Sequence, residues 1–439
     1  MKVKKESSRI VKPTYEGTPP QNTSYTPLSV FDKISYDDHM AVIYAYRPPT
    51  PSNAALELGL KKALSVYREW AGRLGKNEDG HERVILLNDK GVRFVEVSTE
   101  CTLDQAMPSQ PSESLLALHP SWKGVEELVQ VQITRFTCGS MVVGFTAHHF
   151  VADGRSTSDF LVAWGQACRG LEIEPAPFCD RTIFSPRDPP RFEFEHMGAE
   201  FKSKKNNKDY LLIDNITMDE VVVEKVRFSF EFLGKLKAKA SSKNGSNKSY
   251  STFESLVAHL WRAITKSTSI NSDENETTCV KISVDGRTRL NPRVPTEYFG
   301  NLVLWAFPSA KAKDLVREPL PYAAKLIHDA VSKMNNNYFK SFIDFASYKA
   351  EQEALIIPAT DANKSALYPS LEVASWLRFP FYDVDFGGGC PYIFMPSYLP
   401  REGTMFLLPS FSGDGSIDAF IPLFKDNLAS FKQICYILD

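Results

Sequence analysis

Residues 141–169 read MVVGFTAHHFVADGRSTSDFLVAWGQACR, and this stretch indicates the fold class. Its first part, 141–146, is almost entirely apolar and predicts a buried strand. Residues 155–169 repeat apolar side chains at helical spacing, which predicts a helix that Gly170 ends. A strand that passes through a short polar turn into a helix is typical of an α/β fold.

The turn between these two elements contains two histidines and an acid, with His149 and Asp153 in the spacing His-x-x-x-Asp. Side chains at the exit of a strand often converge on ligands in α/β folds. A neutral imidazole at this place is suited to act as a general base, with Asp153 orienting the ring or bracing the loop. The alternative is a buried histidine bonded to the backbone and an Asp153 that only caps the helix. The spacing alone leaves both open.

The rest of the chain repeats this mixture of strands and helices. Residues 54–74 predict an amphipathic helix, and residues 128–136 alternate apolar and polar side chains as a half-buried strand does. The periodicity fades in a proline-rich, then lysine-rich stretch and returns afterwards. We therefore expect an α/β protein of two similar lobes, each a mixed sheet with helices. The lobes are residues 1–185 and 221–439, joined by a crossover linker, 186–220, and the segment near 372–395 could pack with the first lobe.

Composition excludes several classes of protein. The chain has 439 residues, 51 Lys+Arg against 53 Asp+Glu and a formal net charge of −2. A dedicated nucleic-acid binder would carry a strong basic excess. No stretch of about twenty apolar residues predicts a membrane span. Seven dispersed cysteines without a Cys-x-x-Cys pair favour reduced thiols, so we expect a cytoplasmic protein with no metal site. We also expect a monomer.

Two further segments bear glycine or arginine in turns. Residues 383–391 read DVDFGGGCP, which lacks the Lys-Ser/Thr of a phosphate loop and the partner motifs of a kinase. Residues 284–289 read VDGRTR and place two arginines at the end of a predicted strand. These arginines could pair with Asp153, bind a phosphate or face solvent.

Taken in order along the chain, these motifs resemble the plant BAHD acyltransferases, which move acyl groups from coenzyme A thioesters to alcohols or amines. The marks of that family are Leu28-Ser29 with Asp32, the His149–Asp153 motif, Tyr298-Phe299-Gly300-Asn301, and Asp385-Phe386-Gly387. The resemblance covers essentially the whole chain. Chloramphenicol acetyltransferase and condensation domains share the histidine motif but not the Asp-Phe-Gly segment.

The resemblance implies a fold and a set of roles. It implies a chloramphenicol acetyltransferase-like fold, with two lobes around a central solvent channel in which His149 is the catalytic base. It implies that Asp153 points away from the substrate and is braced by an arginine, for which we take Arg289. Gly154, Asp385 and Gly387 would support the site structurally, with Asp385 in a loop far from the chemistry.

The chain departs from the family pattern at one position. The family usually has Trp where Gly388 stands, and in relatives that Trp lies near the reacting thioester. A lost oxyanion donor commonly costs a few kcal/mol, so another group would have to replace it. We predict that Gly388 widens the acceptor pocket.

The acceptor is predicted from the branch of the family that the chain resembles, the agmatine, putrescine and tryptamine hydroxycinnamoyltransferases. Two polar acceptor contacts of shikimate-using relatives fall on the apolar Met40 and Val42 here, whereas acids lie in the same region. We predict that Glu372 anchors the distal cation of a diamine or agmatine and that Met40 also contacts the acceptor. The alternative is an O-acyltransferase that uses shikimate, quinate or another alcohol. A non-catalytic binding protein is a second alternative.

The donor would be a coenzyme A thioester, a co-substrate and not a tightly bound cofactor. Four residues near a predicted helix start could hold its phosphates by charge and by helix N–H groups: Lys243, Lys248, Ser251 and Thr252. A surface loop without ligand is the alternative. The expected partners are thus a small acyl-CoA donor and a small amine acceptor, with no nucleic acid and no membrane.

Overall fold

The structure is a computed structural model, and it describes residues 1–18, 24–108, 110–203, 220–242, 249–268, 276–350, 356–360, 367 and 369–438. Within these ranges, no helix combines the length and the apolar character that crossing a membrane requires. The chain divides into two compact units. Unit 1 comprises residues 1–186, 292–302 and 378–398, and unit 2 comprises residues 187–291, 303–377 and 399–439.

Unit 1 is built on a mixed sheet. Its strands are β1 (Val3–Val11), β2 (Tyr25–Pro27), β3 (His39–Tyr46), β4 (Arg73–Lys76), β5 (Arg83–Leu86), β6 (Val92–Thr99), β7 (Val129–Arg135), β8 (Met141–His148) and a late strand, Ile393–Pro396. The main sheet of the described residues has the order β1-β6-β7-β8-β3 and ends with the late strand. Only β6 and β7 pair in parallel within it. Strands β2, β5 and β4 form a small separate sheet.

Helices of unit 1 pack on this sheet. They are α1 (Val30–Lys33), α2 (Asn53–Val66), α3 (Leu103–Ala106) and α4 (Gly154–Cys168). Helix α4 buries Phe160, Leu161 and Trp164, and the Trp164 indole N–H donates to the Leu56 carbonyl of α2 at 2.9 Å. The strand and helix predicted from residues 141–169 are therefore confirmed, with β8 buried along its whole length as its apolar sequence requires.

Unit 2, like unit 1, combines a mixed sheet with helices. Its strands are β9 (Phe201–Ser203), β10 (Val221–Phe228), β11 (Thr277–Asp285), β12 (Val303–Ala306), β13 (Ser309–Lys311), β14 (Ile356–Pro358) and β15 (Leu371–Ser375). In chain order, β16 is the late strand of unit 1, and β17 (Thr404–Pro409) and β18 (Ile417–Phe424) complete unit 2. The described sheet has the order β10-β18-β17-β15-β11-β12, with β13 also on β11. Strand β15 pairs in parallel with both of its neighbours.

The helices of unit 2 are α5 (Phe230–Ala240), α6 (Thr252–Ser267), α7 (Ala312–Arg317), α8 (Leu320–Lys333), α9 (Asn336–Phe345) and α10 (Lys425–Ile434). The fold is thus mixed α/β with two units, each a mixed sheet with helices, as expected from the sequence. Among the described residues of the expected linker, Pro186 belongs to unit 1 and the others belong to unit 2, where β9 pairs with β14.

One predicted helix was too long. The helical spacing over 54–74 holds only to Val66, where α2 ends, and a short 3-10 turn, Arg68–Ala71, follows. Residues Arg73–Lys76 then form β4, which pairs antiparallel with β5. Pairing with a neighbouring strand outweighed local helical spacing, because a backbone hydrogen-bond ladder satisfies groups that a helix end would leave open.

Candidate active site

His149 lies directly after β8, at the sheet edge where β3 begins. His148, the last residue of β8, pairs with His39, the first residue of β3. The His149 backbone N–H donates to the Asp38 carbonyl oxygen at 2.9 Å, which extends the pairing by one residue. The ladder therefore holds the His149 backbone firmly, while its side chain is only half-buried and can meet a ligand.

Neighbours from two segments of unit 1 contact the ring and the backbone of His149. Its Nδ1 lies 2.8 Å from the Ser35 Oγ. The Asn301 side-chain amide donates to the His149 carbonyl oxygen at 2.9 Å. The Tyr36 ring stands edge-on to the imidazole with centroids 5.7 Å apart. These contacts fix the ring from its Nδ1 side.

His148 has a different environment from its neighbour. Its ring is buried and lies edge-on to the His39 ring, with centroids 4.8 Å apart. Burial lowers the pKa of His148 to about 3, the nearby His39 adds to the shift, and the Asp37 carboxylate opposes it only partly. His148 is therefore a neutral, structural histidine near pH 7. Of the two histidines in the motif, His149 is the one suited to proton transfer.

Asp153 is the N-cap of α4. Its Oδ1 accepts the Ser156 N–H at 3.0 Å, and its Oδ2 accepts the Leu302 N–H at 3.0 Å. The side chain is 3% exposed. The alternative predicted for Asp153, a helix cap, is therefore confirmed, and the second bond adds a brace on the 298–302 segment. Arg289 belongs to unit 2, and its pairing with Asp153 stays a prediction.

Gly154 is the first residue of α4, and its environment leaves no room for a side chain. A Cβ built on it would lie 2.7 Å from the Phe379 ring. A larger residue would force that ring aside. This is consistent with the structural role predicted for Gly154.

Two residues of this site were missed in the sequence: Ser35 and Arg181. The Arg181 guanidinium donates to the Asp32 carboxylate at 2.6 Å, and both side chains are fully buried. Burial alone would lower the pKa of Arg181, but Asp32 and further acidic groups outweigh it and raise the pKa above its ordinary value. A weak signal existed for Ser35, which follows Asp32 by three residues among the apolar Phe31 and Ile34.

Asp385 organises a glycine loop at the far end of α4. Its Oδ1 accepts the N–H groups of Gly387 and Gly389 at 2.7 and 2.9 Å, and its Oδ2 lies 3.5 Å from the Arg169 guanidinium. Arg169 is the C-cap of α4, whereas Asp153 is the N-cap. A 15-residue helix is about 22 Å long. The loop is thus far from His149, in line with the structural role predicted for Asp385 and Gly387.

The prediction for Gly388 was wrong. A Cβ on this residue would lie 2.1 Å from the Pro49 carbonyl oxygen. Pro49 follows the C-terminal end of β3, and His149 pairs beyond the N-terminal end of that strand. Eight strand residues span about 26 Å. Gly388 therefore serves the close approach of two loops, and it does not widen an acceptor pocket beside His149.

The acceptor residues predicted in the two units differ in their surroundings. Met40 lies in β3, opposite Ala147 of β8, two residues before His149. Glu372 lies in β15 of unit 2 and is buried, with its Oε1 3.2 Å from the Lys281 ammonium. Burial lowers the pKa of Lys281, and Glu372 opposes that shift. Glu372 thus already has one cation beside it, and its acceptor contact stays a prediction.

The predicted donor residues are only partly described. Lys243 and Lys248 lie outside the described residues. The Ser251 Oγ accepts the Glu254 N–H at 3.2 Å, and the Glu254 carboxylate accepts the Ser251 N–H at 2.7 Å, so the two form a capping box at the start of α6. This box uses the Ser251 hydroxyl and adds an acid to the first turn. The structure does not favour phosphate binding by Ser251 and Thr252, which stays a prediction.

Comparison with known proteins agrees with the fold and the motifs. Among solved structures, TRI101 of F. sporotrichioides, complexed with coenzyme A and T-2, is similar in fold, with a TM-score of 0.72. The match is 17% identical and covers 92% of this chain and 96% of the other. The likeness shows the fold class, a mixed α/β fold in two units.

The Transferase family model matches residues 1–438, and the chain belongs to that family. Agmatine hydroxycinnamoyltransferase 1 of Oryza sativa subsp. japonica is 51% identical over 100% of this chain and 99% of its own length. Putrescine hydroxycinnamoyltransferase of the same organism is 46% identical over 100% of both chains. The resemblance to the BAHD acyltransferases is thereby confirmed.

Proposed function

We propose that this protein transfers a hydroxycinnamoyl group from its coenzyme A thioester to the primary amine of a small acceptor, which forms an amide. Agmatine and putrescine are the favoured acceptors, and an aromatic amine is the next. The observation that carries this proposal is the half-buried His149, held at Nδ1 and backbone, in a chain half identical to an agmatine hydroxycinnamoyltransferase.

The reaction needs one proton acceptor and no enzyme nucleophile. The acceptor nitrogen attacks the thioester carbonyl carbon, and the Nε2 of His149 takes the proton that the nitrogen loses. The tetrahedral intermediate then collapses as the C–S bond breaks. The departing thiolate takes the proton back from His149, so that the products are the amide and free coenzyme A. Binding both substrates beside one imidazole supplies the proximity that the attack requires.

The acceptor amine must be neutral when it attacks. An alkylamine has a pKa near 10.4, so its neutral form at pH 7.4 costs about 4 kcal/mol. A carboxylate next to the reacting nitrogen would increase that cost, whereas one at the distal cation would help to bind the acceptor. Agmatine and putrescine carry a second cation far from the reacting amine, whereas tryptamine does not. Comparing these acceptors therefore tests whether a given carboxylate binds that second cation.

Asp37 and Asp38 directly precede β3, next to the backbone that pairs with His149, and Asp37 is paired with an arginine. Asp37 accepts two hydrogen bonds from the Arg83 guanidinium, at 2.7 and 3.0 Å. Asp38 accepts the His149 N–H through its carbonyl, and its carboxylate accepts the His39 N–H at 2.7 Å. We infer that Asp38 is a second candidate, beside Glu372, for the anchor of the distal cation.

The acceptor screen tests the proposal directly. Purified protein is incubated with coumaroyl-CoA and one acceptor at a time, and products are identified by mass. The acceptors are agmatine, putrescine, spermidine, tyramine, tryptamine and shikimate. We expect amides, with agmatine or putrescine best. Exclusive ester formation would establish the O-acyltransferase alternative, and binding of acyl-CoA without any product would establish the binding-protein alternative.

Two sets of variants assign the roles. His149→Gln should lower kcat by about 10²- to 10⁴-fold, since it removes the general base. Asp38→Asn and Glu372→Gln are compared for the KM of agmatine and of tryptamine. The true anchor raises the KM of agmatine alone, because tryptamine has no second cation. An equal effect on both acceptors would show that the residue only supports the fold.

A further inference from the structure

We propose that a neutral His196 completes a buried clasp, formed with Ser341 and Glu200, that holds the start of unit 2 on helix α9. The held segment, residues 187–200, is called the strap here, and it contains no helix or strand. In the clasp the Ser341 hydroxyl donates to the His196 Nε2, and the His196 Nδ1–H donates to the Glu200 carboxylate. This inference concerns the fold of unit 2 and does not depend on the proposed reaction.

The strap obtains hydrogen bonds from one face of α9. Tyr338, Ser341 and Asp344 are three residues apart, so their side chains lie on the same face of the helix, and all three are buried. The Asp344 carboxylate accepts the backbone N–H groups of Arg187 and Arg191, at 2.8 and 2.7 Å. A buried segment without regular structure needs partners for its backbone groups, and side chains of α9 provide them.

Ser341 is the centre of the clasp, and both lone pairs of its oxygen are in use. The Ser341 Oγ accepts the backbone N–H groups of Glu193 and Phe194, at 3.0 and 3.2 Å. A hydroxyl oxygen has two lone pairs and one proton. The His196 Nε2 lies 3.1 Å from this oxygen, and it is the one further partner that the described residues bring to the Ser341 hydroxyl. The Ser341 proton is therefore donated to Nε2, which has no proton of its own.

His196 connects this hydroxyl to a buried acid. An imidazole with an unprotonated Nε2 is neutral and carries its proton on Nδ1. The His196 Nδ1 lies 3.0 Å from the Glu200 Oε2, so the carboxylate accepts that proton in a hydrogen bond. The Tyr338 hydroxyl donates to the other carboxylate oxygen, Oε1, at 3.0 Å. Burial raises the pKa of Tyr338, and the Glu200 carboxylate adds to the shift, which agrees with an ionised Glu200.

The order serine, histidine and carboxylate also occurs in nucleophilic triads, but this serine is not placed to attack a substrate. Ser341 and His196 are fully buried. The Ser341 oxygen already accepts two backbone N–H groups, and the rings of Tyr338, Phe342 and Phe345 lie 5.1 to 5.8 Å from the His196 ring. The arrangement therefore fixes the strap and does not supply a nucleophile.

The proton positions are measured by NMR on the full-length protein labelled with ¹⁵N-histidine. Long-range ¹H–¹⁵N spectra at pH 8 distinguish protonated from unprotonated ring nitrogens. The signals of His196 are those missing from the spectrum of His196→Phe, which keeps a ring among the aromatic neighbours. We expect a protonated Nδ1 and an unprotonated Nε2. A protonated Nε2 would overturn the proposal, because the Ser341 oxygen would then have to release a backbone N–H.

Hydrogen exchange of the strap tests the clasp itself. Ser341→Ala leaves the buried N–H groups of Glu193 and Phe194 without their acceptor, so these two amides should exchange about 10- to 100-fold faster. His196→Phe removes the acceptor of the Ser341 proton and one donor to Glu200, and it should speed exchange of the same amides. Exchange is measured on the full-length protein by mass spectrometry with fragmentation that resolves single residues.

The matched control is Ser255→Ala in α6, also in unit 2. It removes another fully buried helix hydroxyl, which donates to the Ser251 carbonyl oxygen at 2.8 Å, and it should leave exchange in the strap unchanged. Equal acceleration of the strap in this control would contradict the clasp, because it would show a general loosening of unit 2.

The remaining outcomes separate this inference from the proposed function. Unchanged exchange of the strap in a folded Ser341→Ala protein would contradict the clasp. If Ser341→Ala does not fold, the wild-type tautomer and the exchange of His196→Phe decide. An acceptor screen without any acylated product would contradict the proposed function, yet leave both measurements on the strap valid.

Discussion

Each end of α4 has an aspartate that accepts backbone N–H groups, but the two aspartates differ in what they stabilise. At the N-terminal end, Asp153 accepts two backbone N–H groups, and at the C-terminal end Asp385 does the same. Asp153 is buried and braces the segment that contains Asn301, which in turn holds His149. The Asp385 side chain is 29% exposed, organises its own glycine loop and lies beside Arg169, the C-cap of α4. The difference shows that a prominent motif is not by itself a catalytic one.

Paired substitutions of the two aspartates give the sharpest contrast. Asp153→Ala removes a helix cap and leaves the buried Leu302 N–H without its acceptor, so we expect a loss of about 2–4 kcal/mol in unfolding free energy. Asp385→Ala should cost less, since water can reach the groups it leaves. Urea unfolding measures both, and kcat should fall clearly only for Asp153→Ala. Equal losses of stability and activity would remove the distinction between the two ends.

A substitution at Gly388 tests whether the glycine loop at the C-terminal end of α4 serves packing and not acceptor binding. Gly388→Ala places a methyl group 2.1 Å from the Pro49 carbonyl oxygen, and we expect it to destabilise the protein by about 1–3 kcal/mol. The KM of the acceptor should not change. The control is Gly234→Ala in α5, where a Cβ meets nothing within 4 Å and helix propensity predicts a gain. A changed acceptor KM in the folded Gly388→Ala protein would revive the acceptor-pocket prediction.

The contrast between the two ends of α4 also explains which features could be predicted from the sequence. The apolar strand and the helical spacing after it predicted β8 and α4 within a residue or two, because local periodicity reports them. The motif likewise identified His149 and Asp153. Which end of α4 each motif occupies depends on long-range packing, and so Gly388 was misplaced. Ser35 and Arg181 were missed because their partners come from distant segments that no spacing brings together.

His148 should make the stability of the protein depend on pH. The unfolded chain has a histidine pKa of about 6.5, and burial lowers the pKa of folded His148 to about 3. Between these values the unfolded state binds one more proton, so stability falls as pH falls. The loss from His148 is about 1 kcal/mol from pH 6.5 to 5.5.

The measurement is urea unfolding at pH 7.5, 6.5 and 5.5 for wild type and His148→Asn. The unfolding free energy of the variant should fall less steeply with acid, because about one proton fewer is taken up on unfolding over this range. Burial also lowers the pKa values of His39 and His119, so the slope of wild type should decrease without vanishing. An unchanged slope would show that folded His148 takes up its proton as readily as the unfolded chain.

The smallest expected effect compares two arginines at the ends of α4. Arg155 pairs with Asp159 at 2.9 Å near the positive end of the helix dipole, and Arg169 lies near the negative end, 3.5 Å from Asp385. Partly exposed pairs contribute about 0–1 kcal/mol, so the dipole decides the order. Arg169→Gln should lower the melting temperature slightly, and Arg155→Gln should lower it less because the dipole opposes that cation. Since salt screens both terms, the difference should shrink at 1 M NaCl, and a larger loss for Arg155→Gln would contradict this assignment.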